Sequence, residues 1–214
     1  MVVHHINHLI EQGEHQQLDF KFEIIDSKKI ARSLVAFANT DGGRLLVGVK
    51  DNGSIAGVRS EEEYFMVEAA AQMYSRPSVL FKSKEWKVEG RTVLEIMIPK
   101  SESMPHYAPD KEGKWRVYIR VGDQNLLANR LLLKVWERKK QKKGVILKYT
   151  DTEKFLLQYL EKNITITHSK YSRLAGISRF RAGNILVNFI LLDIIEMVIT
   201  ERGVHFKLKE EPQA

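Results

Sequence analysis

Hydrophobic and polar positions recur with clear periods through the first 128 residues. Leu18, Phe20 and Phe22 alternate with polar residues, which predicts a half-buried strand. Residues 45–49 are nearly all apolar, as in a strand that is covered on both faces. The sequence further predicts a hairpin at 79–98, a strand at 115–121, and helices at 4–12, 27–39 and 60–74. This order of elements indicates a mixed sheet with helices packed against it.

Helix boundaries can be predicted from capping residues. Ser27 is placed to cap the second helix, and Ser60 with Glu63 forms the spacing of a capping box for the third. The glycines of Asp41-Gly42-Gly43 end the second helix, since glycine tolerates the left-handed backbone of a helix stop. The stretch from 99 to 109 carries three of the five prolines and is predicted to be a loop.

The pattern changes after residue 128. A basic helix is predicted at 129–142, followed by helices at 152–161, 167–175 and 178–191, the last one capped by Ser178, and by strands at 194–200 and 204–208. Three helices followed by a hairpin is the order of a winged helix-turn-helix, whose third helix enters the major groove of DNA. We therefore predict an α+β protein in which a mixed α/β sheet domain (1–128) and a basic connecting helix or linker (129–149) precede a winged-helix domain (150–214).

Composition is that of an ordinary globular protein, with 43% hydrophobic and 29% charged residues among 214. The absence of cysteine excludes disulfides and thiolate chemistry. The most apolar stretch, 185–199, is interrupted by Asn188, Asp193 and Glu196 and is too short to span a bilayer. Because the first residues also lack the pattern of a secretory signal, we predict a cytoplasmic protein without membrane association.

The net charge of +7 favours polyanionic partners through long-range attraction and counterion release. Between residues 130 and 148 one acid, Glu137, faces a run of cations: Lys134, Arg138, Lys139, Lys140, Lys142, Lys143 and Lys148. A basic strap that touches phosphates is one interpretation of this run. A solvated helix end, where cations suit the C-terminal dipole, explains it equally well.

Two further sets of residues are candidates for nucleic-acid contact. Strand alternation places Arg116, Tyr118 and Arg120 on one face, and two arginines flanking a tyrosine suit phosphates and bases; a solvent-facing surface without a partner is the alternative. In the C-terminal domain, cations on the second helix, the third helix and the hairpin tip outline a DNA-binding face: Lys170, Arg173, Arg179, Arg181 and Arg202.

Three carboxylates form a candidate catalytic or metal-binding set: Glu14, Asp19 and Asp51. Brought together, they could hold a divalent metal ion that activates water for phosphodiester hydrolysis. Their spacing does not require them to meet, because Asp51 begins an Asp-Asn-Gly turn and Asp19 could be an exposed strand residue paired with a lysine. No glycine-rich phosphate loop, nucleophile elbow or kinase signature occurs.

Several of these motifs together resemble the Schlafen AlbA domain. The resemblance covers about residues 10–130 and rests on Glu14-x-x-x-x-Asp19-Phe20-Lys21, Ala36-Phe37-Ala38-Asn39-Thr40-Asp41-Gly42-Gly43, Leu46-x-Gly48-Val49-x-Asp51-x-Gly53-x-Ile55-x-Gly57 and Tyr118-Ile119-Arg120-Val121-Gly122. It implies a domain usually described as DNA-binding and often joined to a helix-turn-helix in bacterial regulators. Lys21 enters the candidate nucleic-acid-binding set with this motif.

The same resemblance implies an enzymatic alternative. Animal Schlafen proteins carry the domain in duplicate and cleave structured RNA with a carboxylate triad, whose positions match Glu14, Asp19 and Asp51 here. Such a nuclease would use Mg²⁺ or Mn²⁺. In this chain the second acid is aspartate rather than glutamate, and the single copy of the domain would need a dimer to cradle RNA.

The favoured hypothesis is a DNA-binding transcriptional regulator that forms a homodimer and needs no identified cofactor. The alternatives are a metal-dependent endoribonuclease acting on RNA and a protein-interaction or dimerisation module. The interaction module is suggested by apolar residues beyond those that a small core needs, namely Phe189, Ile190 and Met197.

Overall fold

The structure, a computed structural model, describes residues 2–141, 144–145 and 149–210. The chain divides into two compact units, residues 1–128 (the first unit) and 129–214 (the second unit). It is a mixed α/β protein with seven helices and several small sheets in the described residues. Each helix of the described part is too short or too polar to traverse a bilayer.

The first unit is built around a four-stranded mixed sheet. Its elements in chain order are α1 (Val2–Gln12), β1 (Leu18–Lys21), α2 (Ser27–Asn39), β2 (Gly43–Val47), α3 (Glu62–Gln72), β3 (Lys82–Val88), β4 (Arg91–Ile98), β5 (Ala108–Pro109), β6 (Trp115–Arg116), β7 (Tyr118–Val121) and β8 (Gln124–Leu127). The sheet order is β1-β2-β4-β3, with β1 parallel to β2 and the other neighbours antiparallel. The predicted mixed sheet with packed helices is thus present.

Hydrophobic clusters cover both faces of this sheet. Leu45 and Val47 of β2 belong to a cluster that includes α2 and α3, whereas the intervening Leu46 belongs to a second cluster with Ile6 and Leu9 of α1. Because successive strand residues point to opposite faces, α1 lies on one face and α2 and α3 on the other. This double cover explains why β2 is almost continuously apolar.

The segment predicted as one strand at 115–121 is interrupted at Val117. Its two parts pair with different neighbours, β6 with β5 and β7 with β8, as separate two-stranded ribbons. The strand β8 was not predicted, and the predicted loop at 99–109 ends in β5. The prediction that Tyr118 and Arg120 share an exposed face with Arg116 is wrong, because both are buried while Arg116 is exposed.

The turn between α2 and β2 joins distant segments of the first unit. The buried Asn39 side chain donates to the carbonyls of His106 and Tyr118, both at 2.9 Å, and accepts from the His106 N–H at 2.7 Å. The Thr40 hydroxyl accepts from the Arg120 N–H at 2.9 Å. A Cβ on Gly43 would lie 2.4 Å from the Phe37 ring, so only glycine fits there. The Asn39-Thr40-Asp41-Gly42-Gly43 part of the sequence motif therefore has a structural role.

Two of the predicted helix caps differ from the structure. Asp26 rather than Ser27 caps α2, and its carboxylate accepts from the N–H groups of Lys28 and Lys29. Helix α3 begins two residues after Ser60, although Glu63 still accepts from the Ser60 N–H at 3.3 Å. Ser178 caps its helix as predicted. A carboxylate or hydroxyl of any neighbouring residue can satisfy the free N–H groups, which explains the small shifts.

The second unit contains four helices and a hairpin in its described residues: α4 (Arg130–Lys140), α5 (Asp151–Lys162), α6 (His168–Leu174), α7 (Arg179–Leu191), β9 (Ile195–Thr200) and β10 (Gly203–Leu208). Its core includes Leu156, Tyr171, Leu186 and Phe206. Phe189, suggested above as a surface residue for an interface, is fully buried in this core. An isolated bridge between Ile166 and Phe206 ties the chain before α6 to the hairpin.

Helix α4, which was predicted to be a connector, packs on α7 as part of the second unit. The Lys134 ammonium donates to the Asn184 side chain and the Arg138 guanidinium to that of Asn188. A Cβ on Gly183 would lie 3.0 Å from a methyl group of Leu131, so the two helices approach closely at this glycine. Three cations of the predicted basic strap, Lys142, Lys143 and Lys148, lie outside the described residues.

Candidate nucleic-acid interface

The net positive charge of the protein resides entirely in the second unit. Residues 1–128 contain 17 Lys or Arg against 18 Asp or Glu, whereas residues 129–214 contain 17 against 9. The first unit is therefore nearly neutral, with a net charge of −1, and the second carries +8. A polyanion would be attracted to the second unit far more strongly than to the first.

The cations predicted for nucleic-acid contact in the second unit are exposed. They lie at the end of α4, on α6, in the first turn of α7 and at the tip of the β9–β10 hairpin: Lys139, Lys140, Lys170, Arg173, Arg179, Arg181 and Arg202. Within the described residues none of them forms an ion pair; those found in this unit involve only Lys207 and Lys209. Their charges are thus not neutralised by described carboxylates.

The first turn of α7 presents an aromatic ring between two arginines. Ser178 accepts from the Arg181 N–H at 3.2 Å and so fixes the start of the helix. Phe180 is 76% exposed, and the Lys134 ammonium lies 5.2 Å from its ring centre. The Arg181 guanidinium also donates to the Thr152 hydroxyl at 3.3 Å. A large exposed ring flanked by cations can meet a phosphate backbone and an apolar base surface together.

The remainder of α7 is covered. From Ala182 to Leu191 every residue is buried or half-buried. One side of the helix faces the core through Ala182 and Leu186, and α4 contacts another side at Gly183 and Asn184. Contact with a large partner is therefore limited to the first turn of this helix in the arrangement observed.

The candidates of the first unit have other roles. Arg120 is 2% exposed, and its guanidinium donates to the Leu18 carbonyl at 3.1 Å and the Asp19 carboxylate at 3.3 Å. Tyr118 is buried among the residues of the α2–α3 core. The Lys21 ammonium lies 2.8 Å from Asp19 and donates to the Phe20 carbonyl. Arg116 is exposed and pairs with Asp110 at 3.2 Å.

Two of the three candidate carboxylates are neighbours. Asp19 is 3% exposed, and one of its carboxylate oxygens accepts from the Arg120 guanidinium. The other oxygen lies 2.8 Å from the Lys21 ammonium, which is close enough for an ion pair but not oriented for a hydrogen bond. The Phe20 N–H donates to Glu14 at 2.8 Å. Burial raises the pKa of Glu14 and the nearby Asp19 carboxylate raises it further, while the Phe20 N–H and Lys21 oppose them.

Asp51 does not complete this pair. It is exposed, in the turn that follows β2. In the residues that the structure describes, no three His, Cys, Asp or Glu side chains are grouped so as to hold a metal ion. Because both Asp19 oxygens also face cations of the protein itself, the carboxylates as arranged do not fit a divalent metal.

A second buried carboxylate was missed by sequence reasoning. Glu95 is 1% exposed in β4, where it accepts from the Trp86 indole N–H at 2.8 Å and lies 3.0 Å from the Arg44 guanidinium. His5 of α1 lies 3.2 Å from the same carboxylate. The signal was present, since Glu95 is the one acid in an otherwise apolar run from Val93 to Ile98.

Sequence comparison assigns the family. The model of the family Schlafen, AlbA_2 matches residues 14–129, which is more than half of the 214 residues. The chain belongs to the Schlafen AlbA_2 family. The Schlafen AlbA_2 match contains Glu14, Asp19 and Asp51 together with the buried Arg120, and it covers nearly all of the first unit. No curated protein matches the sequence.

Two solved structures are similar to parts of this Schlafen AlbA_2 protein. The DIP2311 protein from Corynebacterium diphtheriae is 21% identical with a TM-score of 0.45, over 67% of this chain and 32% of that chain. The N-terminal domain of a RecG-related protein from Nitrosomonas europaea is 21% identical with a TM-score of 0.38, over 58% of this chain and 95% of that chain. This chain thus spans about a third of DIP2311, and the family assignment rests on the sequence match alone.

Proposed function

We propose that the protein binds duplex DNA through its second unit, as a winged-helix transcriptional regulator. The observation that carries the proposal is the charge distribution, +8 on the second unit against −1 on the first, with exposed cations that form no ion pair among the described residues. Membership of the Schlafen AlbA_2 family fits association with nucleic acid.

The order of elements supports the winged-helix assignment. Helices α5, α6 and α7 are followed directly by the β9–β10 hairpin, and Gly176 with a positive φ of 64° makes the tight turn between α6 and α7. An isolated bridge between Ile166 and Phe206 also pairs the segment before α6 with the hairpin. In a winged helix the second and third helices and the hairpin contact DNA, and these three elements carry five of the seven exposed cations described above.

The contact surface of this proposal consists of α6, the first turn of α7 and the hairpin tip. Arg179 and Arg181 lie at the N-terminus of α7, where free N–H groups and the helix dipole also attract phosphate. Because α4 covers the rest of α7, only the first turn of this helix can reach the DNA. We therefore expect more contacts to phosphates than to bases. We place the protein in the cytoplasm and expect a homodimer, in which two such surfaces bind neighbouring half-sites.

The test is the binding of the purified 214-residue protein to a fluorescein-labelled duplex across a salt series, measured by anisotropy. We expect affinity that falls steeply with salt, and a large loss in the Arg179→Ala/Arg181→Ala variant. The matched control is Lys29→Ala/Lys111→Ala, which removes two exposed cations of the first unit. An equal loss in the control, or none in either variant, overturns the assignment to the second unit.

One observation keeps the nuclease alternative as a second candidate. Glu14 and Asp19 are neighbours, and the pKa of Glu14 is raised mainly by burial, as for a proton-transferring carboxyl group. Because the carboxylates as arranged do not fit a divalent metal, the same protein is incubated with hairpin RNA both with and without Mn²⁺. Cleavage that disappears in Glu14→Ala identifies the nuclease, whereas intact strands together with salt-dependent duplex binding support the regulator. If neither DNA nor RNA is bound, the interaction module remains.

A further inference from the structure

We propose that the first unit binds a small amphipathic anion in an open pocket beside the start of β2 and the end of β4. The pocket has a volume of about 760 Å³ and lies within residues 9–100. This size is in the range of small-molecule sites, about 300–1,000 Å³. This pocket is independent of the proposed DNA contacts, since none of its lining residues belongs to the second unit.

The body of the ligand is defined by apolar walls. The apolar side chains that line the pocket come from α1, β1, the segment before β3, and β4: Leu9, Leu18, Leu80, Phe81, Met97 and Ile98. Leu80 is 78% exposed, in contrast to the buried Leu9, Leu18 and Ile98 of the same wall. Burying such a side chain against a ligand is favourable, so an aliphatic or aromatic body is favoured here.

The charge of the ligand is defined by three cations against one acid. Arg44, Lys82 and Lys100 line the pocket together with Asp41. Lys82 forms no ion pair within the described residues, and Lys100 makes only a loose one with Asp41, at 3.6 Å. Arg44 is held at one end by the buried Glu95, which fixes the guanidinium at the pocket wall. With Arg44 beside Glu95 and Lys100 loosely beside Asp41, Lys82 is the cation that is left for an anionic head group, and Lys100 can turn toward the same group.

Part of the pocket wall is formed by the end of the motif at residues 36–43, one of the most specific motifs of the sequence. Asp41, Gly42 and Gly43 line it, and they follow the turn that Asn39 and Thr40 anchor to distant segments. A Cβ on Gly42 would lie 2.7 Å from the Ile98 carbonyl oxygen, so the backbone at Gly42 packs directly against the backbone at the end of β4. A preformed wall of this kind reduces the ordering that a small ligand must induce.

A nucleic acid fits this pocket less well than a small molecule does. The first unit carries a net charge of −1, so a polyanion gains no long-range attraction to it. The cations of the pocket surround apolar side chains, which match a single charged group on an apolar body.

The experiment titrates the 214-residue protein with 8-anilinonaphthalene-1-sulfonate, an aromatic anion, and displaces it with decanoate. N-phenyl-1-naphthylamine, which has the same ring system without the charge, is the neutral comparison. We expect saturable one-to-one binding of the sulfonate and displacement by decanoate. The Lys82→Glu/Lys100→Glu variant should weaken sulfonate binding at least tenfold and leave binding of the neutral probe unchanged.

The matched control is Lys29→Glu/Lys111→Glu, which makes the same change in net charge outside the pocket. A second variant, Leu80→Asp, should weaken both probes, and thermal unfolding by circular dichroism confirms that each variant is folded. Three results overturn the proposal: equal weakening in the control, equal affinity for the neutral and anionic probes, or the absence of saturable binding. Displacement of the probe by duplex DNA would reassign the pocket to nucleic acid.

Discussion

The two units differ in where they keep their charged side chains. In the first unit, Asp19, Glu95 and Arg120 are almost completely buried and are held by ion pairs and hydrogen bonds. In the second, the core is apolar apart from Tyr171, and among described charged residues only Glu153 is buried. Arg120 in β7 of the first unit is thus part of the framework, while Arg179 of the second unit is exposed and available to a partner.

This difference shows that residue type alone does not identify a nucleic-acid contact. Arg120 and Arg179 look equally suitable in sequence, yet one is buried against Asp19 and the other is exposed. A charge in the interior must be paired, because an unpaired one costs several kcal/mol, whereas an exposed charge is free to bind phosphate. The following changes test this division.

The largest effect is expected for Arg120→Ala. Removing the guanidinium leaves Asp19 buried with a single cationic partner, which should cost about 3–5 kcal/mol of unfolding free energy. The matched control is Arg116→Ala, whose exposed pair with Asp110 is screened by solvent and should contribute little to stability. Urea unfolding followed by circular dichroism measures both variants. Similar losses in the two variants would contradict the framework role of Arg120.

Removal of Lys170 and Arg173 together should weaken duplex binding without unfolding the protein. Each phosphate contact that is lost lowers the slope of log K against log salt by about 0.9, so the slope should fall by about 1.8. At 0.1 M salt, relative to a 1 M reference, this corresponds to roughly a sixtyfold loss of affinity. Anisotropy titrations at four salt concentrations give the slope. An unchanged slope would show that α6 does not touch the backbone.

A smaller effect is expected for Tyr171→Phe in the core of the second unit. The Tyr171 hydroxyl donates to the Thr152 carbonyl at 2.9 Å, and burial raises the pKa of this phenol well above its ordinary value. Loss of one such hydrogen bond should cost about 1 kcal/mol. The measurement is urea unfolding, with Tyr149→Phe, which changes an exposed tyrosine, as the control. If Tyr171→Phe lowered the free energy of unfolding as much as Arg120→Ala, the polar groups in the cores of the two units would not differ in importance.

The smallest effect is a difference in pH dependence between Glu14 and Glu153. Burial raises the pKa of Glu153, but hydrogen bonds from Thr150 and Thr152 outweigh it, and the net shift is downward. Its contribution to stability is therefore present above the ordinary value of 4.5 and is lost as the pH falls through the lowered pKa. The pKa of Glu14 is raised, mainly by burial, so its contribution is present below 4.5 and is lost as the pH rises through the raised pKa.

Carbon-13 detected NMR titration of the two carboxyl groups measures this difference. We expect Glu14 to titrate above the ordinary glutamate value and Glu153 below it. Glu153→Gln should lower stability at neutral pH, and Glu14→Gln should not. The reverse order of the two midpoints would contradict the assigned environments.

Much of the fold could be predicted because its helices and long strands have strong periods. The order of α5, α6, α7, β9 and β10 and the β3–β4 hairpin follow from spacing alone. The burial of Tyr118 and Arg120 could not be predicted, since alternation defines two faces of a strand without saying which is covered. Here α2 covers β7, a contact between segments about 80 residues apart.

The candidate site was predicted with similar limits. The exposure of the cations in the second unit was predicted correctly, because they occupy polar positions of the sequence pattern and the small core is apolar. The meeting of Glu14 with Asp19 and the separation of Asp51 depend on the path of two turns, which residue spacing does not determine. The contact of α4 with α7 was missed because the run of cations at the end of α4 favoured a solvated connector, although the helix is amphipathic and buries Val135.

The cover of α4 over α7 limits how much of a DNA sequence one copy could distinguish. Three residues of the first turn, 179 to 181, extend about 4.5 Å along the helix axis, at 1.5 Å per residue. Successive base pairs are about 3.4 Å apart, so this turn reaches one or two of them. A single copy would therefore carry little information about the operator. Selection among genomic sites would come from the number and spacing of copies on the duplex.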